Sequence, residues 1–463
     1  MHPSIFKSYD IRGVIPDDWE AQDARRIAKA LCKLKNPKRV LIGHDARTSS
    51  AAIQEALVGG FVTSGVSVMK VGACSTPMFT FAMGEADGAY DLGVMVTASH
   101  NPAQYNGLKI LTADVLPLGI GSGMEELRDL AMNEEPLLDA QEIGSVEETD
   151  DLVDRYVSYV MQLAQLSPLK GPVRVAVDAG NGMNGLTLPK LCKSIPELEV
   201  SKLYWDPDCT FPNHEANPLK QETLEDVRKL VVRDDCLMGV AFDGDGDRVG
   251  FMDEKGNPVP GDLMVAILTE ALLRRQKTDG KPVVLHDVRT SWSVADGIRE
   301  AGGEPRAVRV GHAHIKRAMR ETGAAFAGEL SMHYYFPQMW GGESGELAML
   351  LLLDLMMTTG KPLSALWRPL AVYANTGELN YPVTDTNAVL ARLREMYASH
   401  ASNVSELDGV KCEFRSTEQP EQSWWFSART SNTEPLLRLV VEARTEELLQ
   451  EKLRELEAVI KQG

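Results

Sequence analysis

Residues Thr97-Ala98-Ser99-His100-Asn101-Pro102 directly follow the apolar run Leu92-Gly93-Val94-Met95-Val96. A hydroxyl at the end of a buried strand, on a loop that Pro102 keeps from becoming helix, is displayed on a rigid edge where a substrate can reach it. Ser99 is therefore a candidate nucleophile or phosphate carrier; the alternative is a Ser/Asn/Pro turn whose hydroxyl only bonds its own backbone. A second string, Asp243-Gly244-Asp245-Gly246-Asp247-Arg248, sets three carboxylates at alternate positions with glycines between. That spacing wraps oxygen ligands around one hard divalent cation, and magnesium is the ion expected. A calcium EF-hand loop is the competing reading, since Glu254 stands at the twelfth position. Against it, Arg248 occupies the sixth position, where that loop needs glycine, and the flanks Met238–Phe242 and Val249–Met252 look like strands, not helices. A metal-free acidic turn is opposed by the mutual repulsion of three close carboxylates.

Three further loops carry suitable chemistry. Gly328-Glu329-Leu330-Ser331-Met332-His333 follows a strand-like Ala324–Ala327 and offers carboxylate, hydroxyl and imidazole to sugar hydroxyls. Gly342-Glu343-Ser344-Gly345 has similar letters but lacks the spacer and the following histidine. Arg429-Thr430-Ser431-Asn432-Thr433-Glu434-Pro435 joins a guanidinium fork to hydroxyl and amide donors before a strand, a cradle for a phosphate dianion. Gly311-His312, with Lys316 beyond it, follows another strand pattern.

The elements that must hold these loops repeat. His44-Asp45-Ala46-Arg47-Thr48-Ser49-Ser50 and His286-Asp287-Val288-Arg289-Thr290-Ser291-Trp292 each follow an apolar strand, Val40–Gly43 or Val283–Leu285, and lead into helical patterns near Ser50 and Ser293. A weaker third copy is Val173–Val177, Asp178 and the glycine-rich Gly180-Asn181-Gly182. Three related βαβ units are implied, and such sheets place ligands beyond the carboxyl ends of their strands, where Ser99, Asp243 and Gly311 stand. The last hundred residues read instead as α+β: a helix near Asn387–His400, strands at Val410–Phe414, Ser423–Phe426 and Leu436–Ala443, and a helix from Glu446. The expected organisation is three mixed-sheet α/β domains, residues 1–146, 147–252 and 253–366, and an α+β domain, 367–463, around one central cleft. A linker is expected over 360–377.

With 463 residues, 44% hydrophobic and 25% charged, the chain can bury ample cores. Its net charge of -18 opposes a sequence-independent grip on nucleic acid or an anionic membrane. The six cysteines are scattered with no zinc spacing and read as reduced thiols. Leu347–Met357 is interrupted by Asp354 and too short to span a bilayer, so it reads as a core helix. With no signal-peptide pattern at the start, a cytoplasmic protein is expected, a monomer or weak homo-oligomer with small-molecule partners.

The Ser99 hexapeptide resembles the phosphoserine loop of the α-D-phosphohexomutases, and the other loops recur in that family's order from residue 5 to about residue 442. The resemblance implies Asp243, Asp245 and Asp247 as magnesium ligands together with Ser99, and Arg248 as a substrate-facing arginine. It implies Glu329 and Ser331 on the sugar hydroxyls, and Arg429, Ser431, Asn432 and Thr433 on the phosphate that is not reacting. Tyr9 and Arg12 in Tyr9-Asp10-Ile11-Arg12-Gly13, Arg289, Gly311 and His312 join the implied substrate site. Arg12 and Lys109 are expected to face the phosphoserine, with Lys109 as general base, assisted by Arg12 and His333. Two departures stand out: Met332 where many members have a small residue, and Arg289 where several have lysine, a planar fork in place of a point charge.

Such an enzyme passes the Ser99 phosphoryl group to a hexose monophosphate and takes back the other phosphate of a hexose 1,6-bisphosphate, which also serves as activator. Leu330, and the stretches after Met332 and His286, resemble bacterial phosphomannomutases that feed nucleotide-sugar synthesis such as GDP-mannose, so mannose is the first expectation. Glucose or amino-sugar phosphates are the alternative. A phosphatase would leave the Arg429 loop unexplained, and a silent sugar-phosphate binding protein would not need intact Ser99 and three aspartates.

Overall fold

The computed structural model describes residues 1–133, 137–275, 280–431 and 436–461. The chain forms two compact units, one of residues 1–259 and 331–364, the other of 260–330 and 365–463.

The first unit opens with a six-stranded mixed sheet. Its strands are β1 (Ile11–Val14), β2 (Arg39–His44), β3 (Ser67–Ala73), β4 (Leu92–Val96), β5 (Tyr105–Thr112) and β6 (Val146–Glu148), in the order β1-β5-β4-β2-β3-β6. β4, β2, β3 and β6 run parallel, while β5 is antiparallel to both β4 and β1. Every residue of β4 is buried, so it reads as an unbroken apolar run. The helix Ala21–Lys35 buries Ala24, Ile27, Ala28 and Leu31, one stripe of a 3.6-residue period, and starts with a Glu20/Asp23 capping box.

A second sheet contains β7 (Val173–Asp178), β8 (Leu198–Leu203), β9 (Met238–Phe242) and β10 (Val249–Met252), in the order β10-β9-β7-β8. β9 and β10 form the antiparallel hairpin whose turn is the aspartate string, with Phe242 opposite Val249. Two strands flanking that loop leave no room for an EF-hand. The glycine-rich 180–182 segment opens on a 3-10 turn, Met183–Leu186, before its short helix Leu188–Lys193.

In the second unit, β11 (Val283–Asp287) lies parallel between β12 (Glu304–Val308) and β13 (Phe326–Gly328). The hairpin β14 (Tyr334–Phe336) and β15 (Gly342–Glu343) groups with the first unit, although its sequence was expected in the third domain. The C-terminal sheet has β16 (Ala374–Asn375), β17 (Leu379–Pro382), β18 (Asn403–Ser405), β19 (Val410–Phe414), β20 (Trp424–Thr430) and β21 (Leu436–Ala443). β20 runs four residues further than its apolar run suggests, because its pairing with β21 continues to Thr430 opposite Leu437. The expected linker is also more ordered than its composition implies: it holds the helix Leu363–Trp367 and β16, which pairs with β21.

No single helix among the described residues is long and apolar enough to cross a membrane. Helix Gly345–Thr359, containing the Leu347–Met357 run, is buried almost all round as a core helix should be. One charge lies in its first turn. Glu346 is fully buried and accepts from Tyr156 Oη at 2.9 Å, Asn184 Nδ2 at 2.8 Å and Thr187 Oγ1 at 2.8 Å. It thereby ties this helix to Leu152–Ala164 and to the segment after β7. Removing the acceptor leaves buried donors unsatisfied, so Glu346→Ala is expected to destabilise the first unit by about 3 kcal/mol, read as a lower urea midpoint.

Candidate active site

The first unit brings together Ser99, the three aspartates, Lys109, Arg12, Arg248 and His333. Ser99 adopts a left-handed conformation, φ 51°, which turns its side chain off the line of β4. Its Oγ donates to Asp243 Oδ2 at 3.0 Å and lies 3.2 Å from His100 Nδ1. The loop is held by Arg47, a residue of the repeated motif that the sequence had not marked as functional. Arg47 Nη2 donates to the carbonyls of Ser99 (2.8 Å) and Asn101 (2.6 Å), and Nη1 to those of Pro102 (2.7 Å) and Tyr105 (2.9 Å). Its Nε is fixed by Asp45 at 3.1 Å, and both residues are buried. From the other side, Gly244 allows the loop to approach: a Cβ there would stand 2.7 Å from the Ser99 carbonyl oxygen.

Asp243, Asp245 and Asp247 are all buried, and one carboxylate oxygen from each lies within 4.8 Å of the others. Burial, then the neighbouring Asp247 and Asp245, push Asp243 well above the usual carboxylate range. Burial also works against ionised Asp247, but Lys109 and then His333 outweigh it and hold that group well below the range. Lys109, on β5, donates to Asp245 Oδ2 and Asp247 Oδ2, each at 2.6 Å. Its burial favours the neutral amine, yet the two carboxylates raise its pKa, so it keeps its proton in this arrangement. Thr76, at the start of helix Thr76–Glu85, also donates to Asp245 Oδ2, at 2.5 Å. The other oxygen of Asp245 is buried without a hydrogen-bond partner. An orphaned carboxylate oxygen among two more carboxylates and a serine hydroxyl is a donor set that suits a hard divalent cation.

Arg12 reaches the serine loop through Asn101 Oδ1 (2.8 Å) and is paired with Asp10 Oδ2 (2.5 Å); Tyr9 lies half-buried in the bend before β1. Burial, with the cations Arg248 and Arg12, holds His100 well below the usual imidazole range, hence neutral beside the serine. His333 Nε2 stands 3.2 Å from Arg248 Nε and 3.3 Å from Asp247 Oδ1, so a proton on that nitrogen selects the carboxylate over the guanidinium. Its Nδ1 is 3.0 Å from Ser331 Oγ. Met332 between them has φ 66°, the region glycine favours, and its carbonyl accepts from Val249 N.

In the second unit the same motif does the same work. Arg289 is buried, paired with Asp287 through Nη2 (2.7 Å) and with Glu378 through Nη1 (3.1 Å), and Asp287 Oδ2 accepts from Leu330 N at 2.9 Å. Asp287 thus steadies the Glu329 loop as Arg47 steadies that of Ser99. Glu329 is buried, and its Oε1 accepts from Gly311 N at 3.1 Å. His312 begins helix His312–Thr322 and Lys316 lies within it, buried, so neither is in an open loop. Arg429 lies near the end of β20 and Ser431 just past it, both buried; Asn432 and Thr433 lie outside the described residues. Glu378 accepts from Arg429 Nη2 (2.9 Å) and Arg438 Nη1 (2.8 Å) as well as from Arg289. Burial opposes its ionisation, but the three guanidiniums bring its pKa down to about 2. Neither Glu378 nor Arg438 was marked in the sequence, because one stands just past the expected linker and the other inside a strand.

All four domain signatures of phosphoglucomutase/phosphomannomutase match in order: α/β/α domain I over residues 3–133, domain II over 154–256, domain III over 260–373 and the C-terminal domain over 378–459. The chain belongs to the phosphoglucomutase/phosphomannomutase family. It is similar to a phosphohexose mutase of Xanthomonas campestris, 36% identical with 96% of each chain covered. It is also similar to a phosphomannomutase of Methanocaldococcus jannaschii, 34% identical over 98% of this chain and 97% of that one. Among solved structures, a phosphoglucomutase/phosphomannomutase family protein of Burkholderia thailandensis superposes with a TM-score of 0.87 at 32% identity, over 100% of this chain and 99% of the other. The protein is an isomerase, a phosphohexomutase of four-domain α/β architecture.

The Arg47 fork pins the serine loop through four carbonyls and so sets the place of Ser99 Oγ. Arg47→Met is expected to lower kcat by about a hundredfold, since misplacement on the scale of 1 Å costs that much. Arg47→Lys is expected to recover little, because an ammonium cannot fork to four acceptors. Initial rates of mutase turnover check both.

Proposed function

We propose that this phosphohexomutase interconverts mannose 1-phosphate and mannose 6-phosphate, and turns over glucose phosphates as well, through a phosphoserine at Ser99 and a hexose 1,6-bisphosphate intermediate. The observation that carries the reading is the placement of Ser99 Oγ, 3.0 Å from Asp243 within a cluster of three buried carboxylates and three cations. An acyl-transfer serine has no use for such a cluster; a phosphoryl group needs its charge neutralised and its position fixed more than it needs covalent help. Magnesium held by Asp243, Asp245, Asp247 and Ser99 would supply part of that neutralisation.

The chain's own residues would do the rest. Arg47 fixes the loop, and Arg12 and Arg248 offer guanidiniums to the phosphoryl oxygens. As a sugar hydroxyl oxygen bonds to phosphorus, the Ser99 Oγ–P bond breaks and the hydroxyl proton must leave. We assign that proton to His333; Lys109, whose proton two aspartates hold, and Arg12, a guanidinium, keep theirs and neutralise charge. The second transfer reverses these bonds at the other end of the bisphosphate and returns a phosphoryl group to Ser99. Glu329 and Ser331 would take sugar hydroxyls, with Tyr9, Gly311 and His312 as further contacts. Arg289, Arg429, Ser431, Asn432 and Thr433 would take the phosphate that is not reacting. Mannose as substrate draws on the relatives named phosphomannomutase and on Leu330.

The test is incubation with mannose 1-phosphate, magnesium and a trace of glucose 1,6-bisphosphate, following the 6-phosphate and free phosphate. Isomer without free phosphate is expected, with Ser99→Ala nearly inactive, Asp245→Asn weaker for magnesium, and a chelator abolishing turnover. Free phosphate as main product, or wild-type rates in Ser99→Ala, would refute the proposal. The same assay with glucose and N-acetylglucosamine 1-phosphates ranks the sugars.

A further inference from the structure

Three arginines meet one glutamate in the second unit, and the sheet explains why they need it. Arg429 on β20 stands directly opposite Arg438 on β21, a cross-strand pair of like charges. Such a pair is destabilising without a counter-charge. Glu378 immediately precedes β17, the strand on the other side of β21, where Asn380 pairs with Arg438. Its Oε2 accepts from both Arg429 and Arg289, and its Oε1 from Arg438. Arg289 already has Asp287 at 2.7 Å, whereas Glu378 is the carboxylate that Arg429 meets.

The arrangement leaves donor capacity over. Arg429 is 2% exposed, its Nε is buried without a hydrogen-bond partner, and its Nη1 has only a 3.5 Å contact with the Thr430 carbonyl. A buried guanidinium with donors unspent points to an anion that takes them. Ser431, the next residue but one, is buried beside it.

We propose that Glu378 is a positioning residue for phosphate binding: it holds Arg429 beside Arg438 and Arg289, so that the N–H groups Arg429 keeps in reserve face one phosphate monoester. The inference rests on the reading of the Arg429 loop as the holder of the non-reacting phosphate. The glutamate acts through the arginines and does not itself touch the ligand. It acts as a partner and not as a competitor, because the arginine nitrogens it occupies are not the Nε and Nη1 that Arg429 keeps in reserve. Ionised far below neutral pH, it performs this role throughout the working range of the enzyme.

Calorimetric titration with mannose 6-phosphate, in a Ser99→Ala background that prevents turnover, tests this. Glu378→Gln is expected to weaken binding by about tenfold or more, approaching the loss in Arg429→Ala, with Glu378→Asp intermediate because it restores the charge at shorter reach. Manganese affinity, read by electron paramagnetic resonance, is expected to stay within about twofold of the parent in all three, which separates a local effect from misfolding. If Glu378→Gln does not fold, Glu378→Asp carries the test, with a loss of at least about threefold expected. Parent-like or tighter binding in the folded Glu378 variants, with Arg429→Ala impaired, would overturn the positioning role and leave the phosphate-site reading intact. Parent-like binding in Arg429→Ala would overturn both.

Discussion

Three buried carboxylates within 4.8 Å of one another can exist in a folded protein only if positive charge is brought among them. In this chain much of the first unit serves that condition. β5 carries Lys109 to Asp245 and Asp247, Arg248 stands just before β10, and the turn before β14 brings His333 to Asp247. The same concentration of charge is what a migrating phosphoryl group requires, so the demand of stability and the demand of chemistry fall on the same residues. Asp245 keeps one oxygen without a partner and Asp243 resists ionisation, which marks the cluster as balanced for one further cation.

The two units use one device for different ends. An Asp-x-Arg motif at the end of a parallel strand locks the loop that follows the neighbouring strand: Asp45 and Arg47 on the Ser99 loop, Asp287 and Arg289 around the Glu329 loop. In the first copy the arginine spends its fork on backbone carbonyls and fixes the loop of Ser99. In the second, the aspartate takes the backbone contact and the arginine is released toward Glu378, which also meets Arg429 and Arg438.

Much of this was legible in the sequence where chemistry and local geometry coincide. The aspartate string sits between strands whose limits, Met238–Phe242 and Val249–Met252, are those the apolar pattern indicates, and β4 ends where the serine loop begins. What escaped were contacts made at long range in sequence. Arg47 reaches over fifty residues to the Ser99 loop, and Glu378, just past the expected linker, finds Arg289, Arg429 and Arg438. His100 was not marked in the sequence, yet with Ser99 in a left-handed turn its ring stands 3.2 Å from the hydroxyl. Local pattern cannot show a pairing set by tertiary folding.

The proposed role of Ser99 as phosphoryl carrier rests on its place among the three aspartates. Mass spectrometry of the protein after exposure to magnesium and glucose 1,6-bisphosphate carrying heavy-oxygen-labelled phosphate, with the modified residue located by fragmentation, is the direct test. A single labelled phosphoryl group on Ser99 is expected, replaced by an unlabelled one when mannose 1-phosphate is added, because the second transfer returns a phosphoryl group to the serine. Mutase turnover by protein that never carries phosphate at Ser99, or carries it on another residue, would contradict that role.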